Sequence, residues 1–399
     1  MDFFTVGILG ICLLLVCLFL GLPIAVDFIM VGLLGSSLLI GLSPTLSMLG
    51  DTLYSSISNP AAVVIPLFAL MGALGTEGGF AQRAYHAVHV MAARIPASLA
   101  VATAIGSAFF GAISGSTMAS AVVFGKLAYP EMKRAGYDKS FALGSIASSG
   151  TFACMIPPSG MFILFAIFTD LSVGKLFMAG IFPGLLTAVV YILSMIIRAK
   201  LNPDLAPQAA FEKKVTPAER IKAAKGLWEF LLLAGIVIGG IYSGFLTPIG
   251  AGAMGALGAF LIGFIRGPLR RFQANRSALR DTGNTAAMLF FMIIAAMFFS
   301  RFLALTQIPI ELATFLQNWD IHPHFVLFFI FVLWIFLGMI MAQAAVFALT
   351  LPILFPVVVN LGYDPIWFCV VSMKLNEIAS VSPPVGLSAF ALAGSTEDE

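Results

Sequence analysis

Apolar runs of about 20 residues recur along the chain, and they constrain its fold more than any other feature. A helix of this length crosses the hydrocarbon core of a bilayer. The clearest runs are residues 3–22, 24–42, 176–197, 227–247 and 283–305. Of all residues, 60% are hydrophobic and only 10% are charged. The sequence therefore predicts an all-α polytopic membrane protein whose main solvent is the lipid bilayer.

Motifs of enzymes and of nucleic-acid binding are missing from the sequence. It contains no HExxH, GxSxG or GxxxxGK[ST] pattern, and no His and Cys cluster with metal-ligand spacing. The net charge is only +2, so nucleic acid is not an expected partner. Without a nucleotide-binding segment, transport energy has to come from an ion gradient or from the solute. We therefore expect a secondary carrier that is not an enzyme and needs no cofactor.

Short motifs recur at one fixed offset in the two halves of the chain. The matched positions are Pro130, Gly136-Tyr137-Asp138, Pro157-Pro158 and Gly160 against Pro356, Gly362-Tyr363-Asp364, Pro383-Pro384 and Gly386. Each pair lies 226 positions apart. A constant register over all of these matches indicates an internal repeat. Residues 60–197 and 284–399 are predicted to be homologous units.

The charges of two matched loops predict that the units have opposite orientations. Lysine and arginine accumulate in short cytoplasmic loops. Residues 126–139 carry four basic side chains, whereas the matched loop 352–365 carries none and has one acid, Asp364. Two inverted-topology repeats of this kind are typical of secondary transporters, with the transport site at the repeat interface near the bilayer midplane.

The remaining charges divide the chain into further segments. Residues 198–226, with Lys213 and Lys214, are predicted to be a basic cytoplasmic linker, and 266–282 a basic cytoplasmic or interfacial segment. Residues 1–59 and 227–265 are predicted scaffold helices. Counting the crossings places the N-terminus outside the cell.

Two kinds of irregular element are predicted inside the repeats. Residues 97–128 and 325–358 begin and end on one side of the membrane, which predicts re-entrant hairpins. Residues 141–170 and 366–394 contain the proline pairs, which predict helices broken within the membrane. The offset maps the scaffold helix 176–197 onto positions beyond Glu399, so we expect the second repeat to lack its last crossing.

Hairpin tips and helix breaks are the predicted transport sites. Free backbone groups are tolerated at membrane depth only in protein or at a wet cavity, where they can bind ions. The alternative is that the small residues there only permit close helix packing. The candidate residues for solute binding are Ser116, Thr117, Gly150, Thr151, Ser159, Gln343, Asn376 and Glu377.

Isolated charges in apolar spans have more than one interpretation. A carboxylate such as Glu377 at membrane depth usually has a role, but pairing with Lys374 on the same helix is an equal alternative. Arg301 is expected to extend to the outer interface, with attraction of an anionic solute as the alternative. Asp27 follows a turn and is predicted to lie at the interface.

At these motifs the sequence resembles the large membrane subunit of the TRAP (tripartite ATP-independent periplasmic) transporters, within a wider ion-transporter superfamily. The resemblance covers nearly the whole chain. The segments that carry it are GLPIA (21–25), IPLFALMG (65–72), FFGAISGS (109–116), residues 136–160 and GKLFMAG (174–180).

The resemblance implies an elevator mechanism that depends on partner proteins. In an elevator mechanism, a mobile domain of hairpins and broken helices carries the solute past a scaffold. The resemblance also implies sodium symport, a small four-helix membrane subunit, and a periplasmic substrate-binding protein. The solute would be a carboxylate such as a C4-dicarboxylate or sialic acid.

The same resemblance implies two sodium sites formed mostly by backbone carbonyls. Carried over by position, the first site involves Gly111, Ser114, Ala153, Ile156 and Pro158. The second site involves Gly338, Ala379, Ser382 and Val385. The resemblance also implies an acid near Gln343 in the second hairpin, and the sequence has none there.

Two rival functions remain open from the sequence. One is a stand-alone anion carrier of the same architecture, for which Glu377 offers a site of proton coupling. The other class is an intramembrane hydrolase or a channel. The missing catalytic pairs argue against the hydrolase, and the inverted repeat with broken helices argues against the channel.

Overall fold

The computed structural model describes residues 2–93, 95–207, 216–308, 311 and 322–396. These residues form helices joined by short turns, and no strand occurs among them. Seven of the described helices are long and apolar enough to cross a membrane. The prediction of an all-α, multi-pass membrane protein is confirmed. Lys213 and Lys214 of the predicted linker lie outside the described residues.

The first part of the described chain contains ten α-helices. They are α1 (Phe3–Phe19), α2 (Ile24–Ile40), α3 (Leu42–Ile57), α4 (Val64–Glu77), α5 (Phe80–Ala92), α6 (Ser98–Ser114), α7 (Thr117–Arg134), α8 (Lys139–Ala153), α9 (Gly160–Thr169) and α10 (Val173–Leu201). A 3₁₀ turn, Pro60–Val63, leads into α4, and another, Pro203–Leu205, follows α10.

The second part begins after the linker. Its described helices are α11 (Pro217–Lys225), α12 (Trp228–Ala234), α13 (Gly240–Tyr242), α14 (Pro248–Arg266), α15 (Phe272–Thr306), α16 (Pro323–Ile340), α17 (Gln343–Asn360), α18 (Pro365–Val381) and α19 (Leu387–Thr396). A π-helical turn, Gly235–Gly239, joins α12 to α13, and a 3₁₀ turn, Pro268–Arg270, precedes α15.

Helix boundaries recur at the same offset as the sequence motifs. α7 begins at Thr117 and α17 at Gln343, while α8 begins at Lys139 and α18 at Pro365. We call residues 98–169 the first repeat and 323–396 the second repeat. Each contains a helical hairpin followed by two helices that a proline pair separates. We call the separating residues, 154–159 and 382–386, the first and second breaks.

The Gly-Tyr-Asp motif builds the same turn in both repeats. Asp138 Oδ1 accepts the backbone N–H of Phe141 at 2.8 Å, and Asp364 Oδ1 accepts that of Trp367 at 2.7 Å. Each aspartate therefore caps the helix that follows it. The glycine two residues earlier has a φ of +77° in the first repeat and +86° in the second, where a side chain would be strained.

The two repeats pack directly against each other. Phe165 of α9 lies at their contact, with ring centroids 5.4 Å from Phe347 of α17 and 6.5 Å from Phe368 of α18. α19 also packs against α7 and α8. The hairpins and breaks of both repeats therefore share one apolar core.

Helices outside the repeats form a second packing region. α15 packs along α2, α3 and α4, and α14 packs against α4. Phe28 of α2 stacks on Phe299 of α15 with ring centroids 5.0 Å apart. A separate apolar core around these two rings also contains residues of α1.

A buried carboxylate ties three helices together beside the first repeat. Glu229, at the start of α12, is 0% exposed. Its Oε2 accepts a hydrogen bond from Nε of Arg83 of α5 at 2.8 Å, and its Oε1 accepts one from Nε of Arg266 of α14 at 2.7 Å. Arg83 also donates to the carbonyl of Gly78 at 2.8 Å, at the end of α4. This ion cluster fixes the relative positions of α5, α12 and α14.

Replacing Glu229 with glutamine should lower the stability of the folded protein. The substitution leaves two arginines without their counter-charge, and because both are partly exposed we expect a loss of about 2 kcal/mol. Thermal unfolding in detergent measures the effect. Asp51→Asn, at an exposed carboxylate of α3, is the control. Equal melting temperatures for the two variants would contradict a structural role of the cluster.

Candidate functional site

The first candidate site lies where the tip of the α6–α7 hairpin meets the first break. Gly115 at the tip has a φ of +61°, and Ser116 caps α7 by accepting the N–H of Ala119 at 3.3 Å. A Cβ atom on Gly115 would lie 2.9 Å from the nitrogen of Gly160 and 3.2 Å from the carbonyl oxygen of Pro158. Glycine is therefore required for the tip to lie on the break.

Three hydroxyl oxygens at this contact are buried without a hydrogen-bond partner. They belong to Ser114 and Thr117 on the hairpin and to Ser159 in the break. By contrast, Thr151 on α8 donates to the carbonyl of Ser148 at 2.7 Å. Burying a polar group without a partner costs free energy, so these oxygens are suited to a polar ligand.

The residues predicted for the first sodium site all lie at or beside this contact. Gly111 is in the last turn of α6, where its carbonyl accepts the N–H of Gly115 at 2.7 Å. Ala153 is the last residue of α8, and Ile156 and Pro158 are in the break. A break within a helix leaves carbonyls without helical partners.

Neighbouring helices leave little space around the first break. A Cβ atom on Gly150 of α8 would lie 3.0 Å from the carbonyl oxygen of Thr117, and one on Gly184 of α10 would lie 3.1 Å from the Cβ of Met155. The Cys154 thiol donates to the carbonyl of Gly115 at 3.2 Å. The break is therefore in contact with α10 and with the hairpin tip, and α8, which leads into the break, packs closely against α7.

The second candidate site is assembled in a similar way, with different side chains. A Cβ atom on Gly338 of α16 would lie 2.7 Å from the Cβ of Ala379 and 3.1 Å from Oδ1 of Asn376. The N–H of Gly386 in the second break donates to the carbonyl of Met339 at 3.3 Å. The second hairpin therefore also lies against the helix and break that follow it.

The four residues predicted for the second sodium site are not equally placed. Gly338 and Ala379 are buried in contact with each other. Ser382 uses its hydroxyl to donate to the carbonyl of Ile378 at 2.7 Å, and Val385 is 43% exposed. Gln343, predicted for solute binding, donates to the sulfur of Met373 at 3.6 Å.

Polar side chains of α18 form a buried group just before the second break. Asn376 and Glu377 are each 1% exposed, and Asn376 Oδ1 and both carboxylate oxygens of Glu377 have no hydrogen-bond partner. The nitrogen of Lys374 is 3.9 Å from Glu377 Oε2, so the two charges attract but do not form a hydrogen bond. The Lys374 nitrogen also lies 5.7 Å from the ring centre of Tyr191 on α10. The pairing of Lys374 with Glu377 is therefore present, and the Lys374 nitrogen and both Glu377 oxygens have no hydrogen-bond partner.

Sequence reasoning missed two buried acids. Asp27, which is predicted to lie at the membrane interface, has a side chain that is 0% exposed, and neither of its oxygens has a hydrogen-bond partner. It is covered because α2 packs against α1, α3 and α15. Glu229 was not singled out, because its partners Arg83 and Arg266 are 146 and 37 positions away in sequence.

Gly115→Ala should destabilise the protein more than Gly362→Ala. Both glycines have a positive φ, which costs an alanine about 1 kcal/mol. Only at Gly115 does the added Cβ also collide with backbone atoms, because nothing lies within 4 Å of one at Gly362. The difference between the melting temperatures of the two variants therefore measures the cost of the collision at Gly115. An equal loss in both would show that the hairpin tip does not need this contact.

The architecture is shared with a known membrane transporter. The Alcanivorax borkumensis YdaH transporter structure matches with a TM-score of 0.62 over 89% of this chain and 81% of that chain, at 14% sequence identity. At this identity the match shows the fold alone. The chain is thus a multi-pass membrane protein with a transporter fold.

Sequence comparison then defines the family. Residues 11–397 match the family model of the tripartite ATP-independent periplasmic transporter, DctM component, and the chain belongs to this family. It is 33% identical over 369 residues to the C4-dicarboxylate TRAP transporter large permease protein DctM of Pseudomonas aeruginosa, covering 92% of this chain and 84% of that protein. The sialic acid TRAP transporter large permease protein SiaM of Vibrio cholerae is 29% identical, covering 94% and 86%. The resemblance seen in the sequence is confirmed, and the chain is a transporter permease subunit rather than an enzyme.

Proposed function

We propose that this chain is the large membrane subunit of a sodium-coupled uptake transporter for an organic acid. The proposal rests above all on the first tip-to-break contact, where the hydroxyls of Ser114, Thr117 and Ser159 are buried without partners. Oxygen atoms from a hairpin tip and an interrupted helix are the ligands that secondary transporters offer to sodium. The contact would be a costly arrangement without a polar ligand.

An anionic solute agrees with the local electrostatics. α9 begins at Gly160 directly after the first break, and its N-terminal turn presents partial positive charge there. Near the second break, the ammonium group of Lys374 is 3.9 Å from the carboxylate of Glu377, so this pair adds no net charge there. The two relatives described above are named for a C4-dicarboxylate and for sialic acid, which are both carboxylates.

The family supports a partner-dependent elevator in the bacterial inner membrane. A periplasmic substrate-binding protein delivers the solute, and a small four-helix membrane subunit completes the carrier. The two repeats are assigned to the mobile domain, and the helices α1, α2 and α15, which pack around Phe28 and Phe299, to the scaffold. The excess of basic residues in the first repeat's loop supports an N-terminus in the periplasm.

Sodium should stabilise the purified protein more than potassium does. At a concentration about 100 times its dissociation constant, a bound ion adds about 2.7 kcal/mol to the free energy of unfolding. Removing one ligand oxygen by Ser114→Ala or Thr117→Val should weaken sodium affinity about tenfold. Ser36→Ala removes another buried, unpartnered hydroxyl, on α2, and is the matched control. Identical shifts with sodium and potassium would refute the sodium site.

Reconstituted uptake tests the proposed energy coupling and the role of the partners. In proteoliposomes that also contain the small subunit, uptake should require an inward sodium gradient and the loaded binding protein. Omitting either component should abolish transport. Uptake that continues without them would support a stand-alone carrier instead.

A proton-coupled carrier is the second candidate function, because Glu377 is buried and its carboxylate is not hydrogen-bonded. In that case a pH gradient should drive uptake without sodium, and Glu377→Gln should abolish the pH dependence. Under sodium coupling the same variant keeps its dependence on the sodium gradient. The response of this one variant to the two gradients separates the alternatives.

A further inference from the structure

Lys374 and Glu377 on α18 form a buried ionisable pair whose charges are only loosely matched to each other. The Lys374 nitrogen and both carboxylate oxygens of Glu377 are enclosed by protein. The shortest distance between the two charges is 3.9 Å, which is too long for a hydrogen bond. Among the described residues, no other group donates to the carboxylate or accepts from the ammonium group. Such a pair repays little of the free energy that its desolvation costs.

The pair is accompanied by a third polar atom without a partner. The amide nitrogen of Asn376 donates to the carbonyl of Ser372 at 3.1 Å, but its Oδ1 accepts no hydrogen bond within the described part of the chain. Gly338 on α16 faces this oxygen, and a Cβ atom on that glycine would lie 3.1 Å from it. Three buried oxygens, one on Asn376 and two on Glu377, are therefore available to a ligand that donates hydrogen bonds.

The pair lies beside the first break, although it belongs to the second repeat. α18 packs against both α8 and α10. The ring of Tyr191 on α10 has its centre 5.7 Å from the Lys374 nitrogen and 5.8 Å from the ring centre of Phe152, in the last turn of α8. Glu377 and the thiol of Cys154, in the first break, interact electrostatically. The pair and the first candidate site are therefore neighbours across the contact between the repeats, where secondary transporters bind ion and solute together.

The charges of the pair limit the class of solute that can bind here. A solute whose only charge is a carboxylate could take Lys374 as its partner, but Glu377 would then stay buried without a counter-charge. Breaking a buried ion pair in this way is strongly unfavourable. A zwitterion avoids that cost, because its carboxylate can pair with Lys374 while its cation pairs with Glu377. Every charge keeps a partner, and the net charge of the site does not change.

We propose that the solute is a zwitterion, in which a carboxylate and a protonated nitrogen lie close together as in an amino acid. The inference rests on the proposed transport function and names the class of its solute. The protonated nitrogen donates to Glu377 and to Oδ1 of Asn376, and the solute's carboxylate accepts from Lys374. The loose contact between Lys374 and Glu377 is replaced by hydrogen bonds between charged groups, which are stronger.

Thermal unfolding of the intact purified chain in detergent, with sodium present, tests this assignment. The probes are the neutral amino acids, the N-acetyl derivative of each, and succinate. Acetylation keeps the carboxylate but removes the protonated nitrogen, and succinate carries two carboxylates and no cation. At least one neutral amino acid should raise the melting temperature and bind about tenfold more tightly than its N-acetyl derivative and than succinate. That factor corresponds to the loss of one hydrogen bond to a charged group.

A double variant separates binding from folding. Lys374→Gln combined with Glu377→Gln removes both charges at once, so no buried charge is left unpaired and the protein should still fold. It should lose the preference for the amino acid over its N-acetyl derivative. Asp27→Asn is the matched control, because it neutralises another fully buried carboxylate without a hydrogen-bond partner, on α2 outside the repeats. This variant should keep the wild-type preference.

Three results would each overturn the proposal. They are a panel in which no neutral amino acid raises the melting temperature, an N-acetyl derivative or succinate that binds as tightly as the amino acid, and a double variant that keeps the wild-type preference. Stabilisation by sodium is measured in the same samples without solute. If sodium stabilises the protein and the amino acid preference is missing, only the zwitterion inference fails. If sodium has no effect either, the proposed transport function fails with it.

Discussion

Helix ends inside a bilayer leave backbone N–H and C=O groups that water cannot reach, and both repeats are built around this constraint. Each hairpin tip lies against the break that follows it. Gly115 approaches Pro158 and Gly160 in the first repeat, and the N–H of Gly386 bonds to Met339 in the second. The same contacts that make an interrupted helix tolerable also bring free oxygens together. Structural support and the candidate ion site are therefore one feature of this fold.

The two repeats share a backbone plan but differ in the chemistry of their buried groups. At the first break the unpartnered atoms are hydroxyls, on Ser114, Thr117 and Ser159. Beside the second break they belong to Lys374, Asn376 and Glu377, which include an ionisable pair 3.9 Å apart. A neutral set of oxygens can accept a cation with little rearrangement. A Lys and Glu pair without a hydrogen bond can exchange partners, because either charge can be neutralised by a different group.

The sequence was sufficient to predict where the matched helices of the two repeats begin, but not which distant residues come into contact. The spacing between Asp138 and Asp364 predicts the offset at which α8 and α18 begin, because an N-cap is a local interaction that residue type determines. The burial of a side chain by residues that are distant in the sequence has no such local signal. Asp27 follows a turn like an interfacial residue, and only the packing of α2 shows that it is covered. For the same reason the resemblance implied four residues for the second site without distinguishing their burial, whereas Val385 is 43% exposed.

The helix α10 extends over 29 residues, about 43 Å, and therefore reaches past the hydrocarbon core of a typical bilayer. Gly184 on this helix abuts Met155 in the first break, and Tyr191, two turns further on, lies beneath the ammonium group of Lys374. One continuous rod thus touches the neighbourhood of both breaks. The two contacts lie seven residues apart on α10, so about 10 Å of one helix separates the segment at the first break from the segment that precedes the second break.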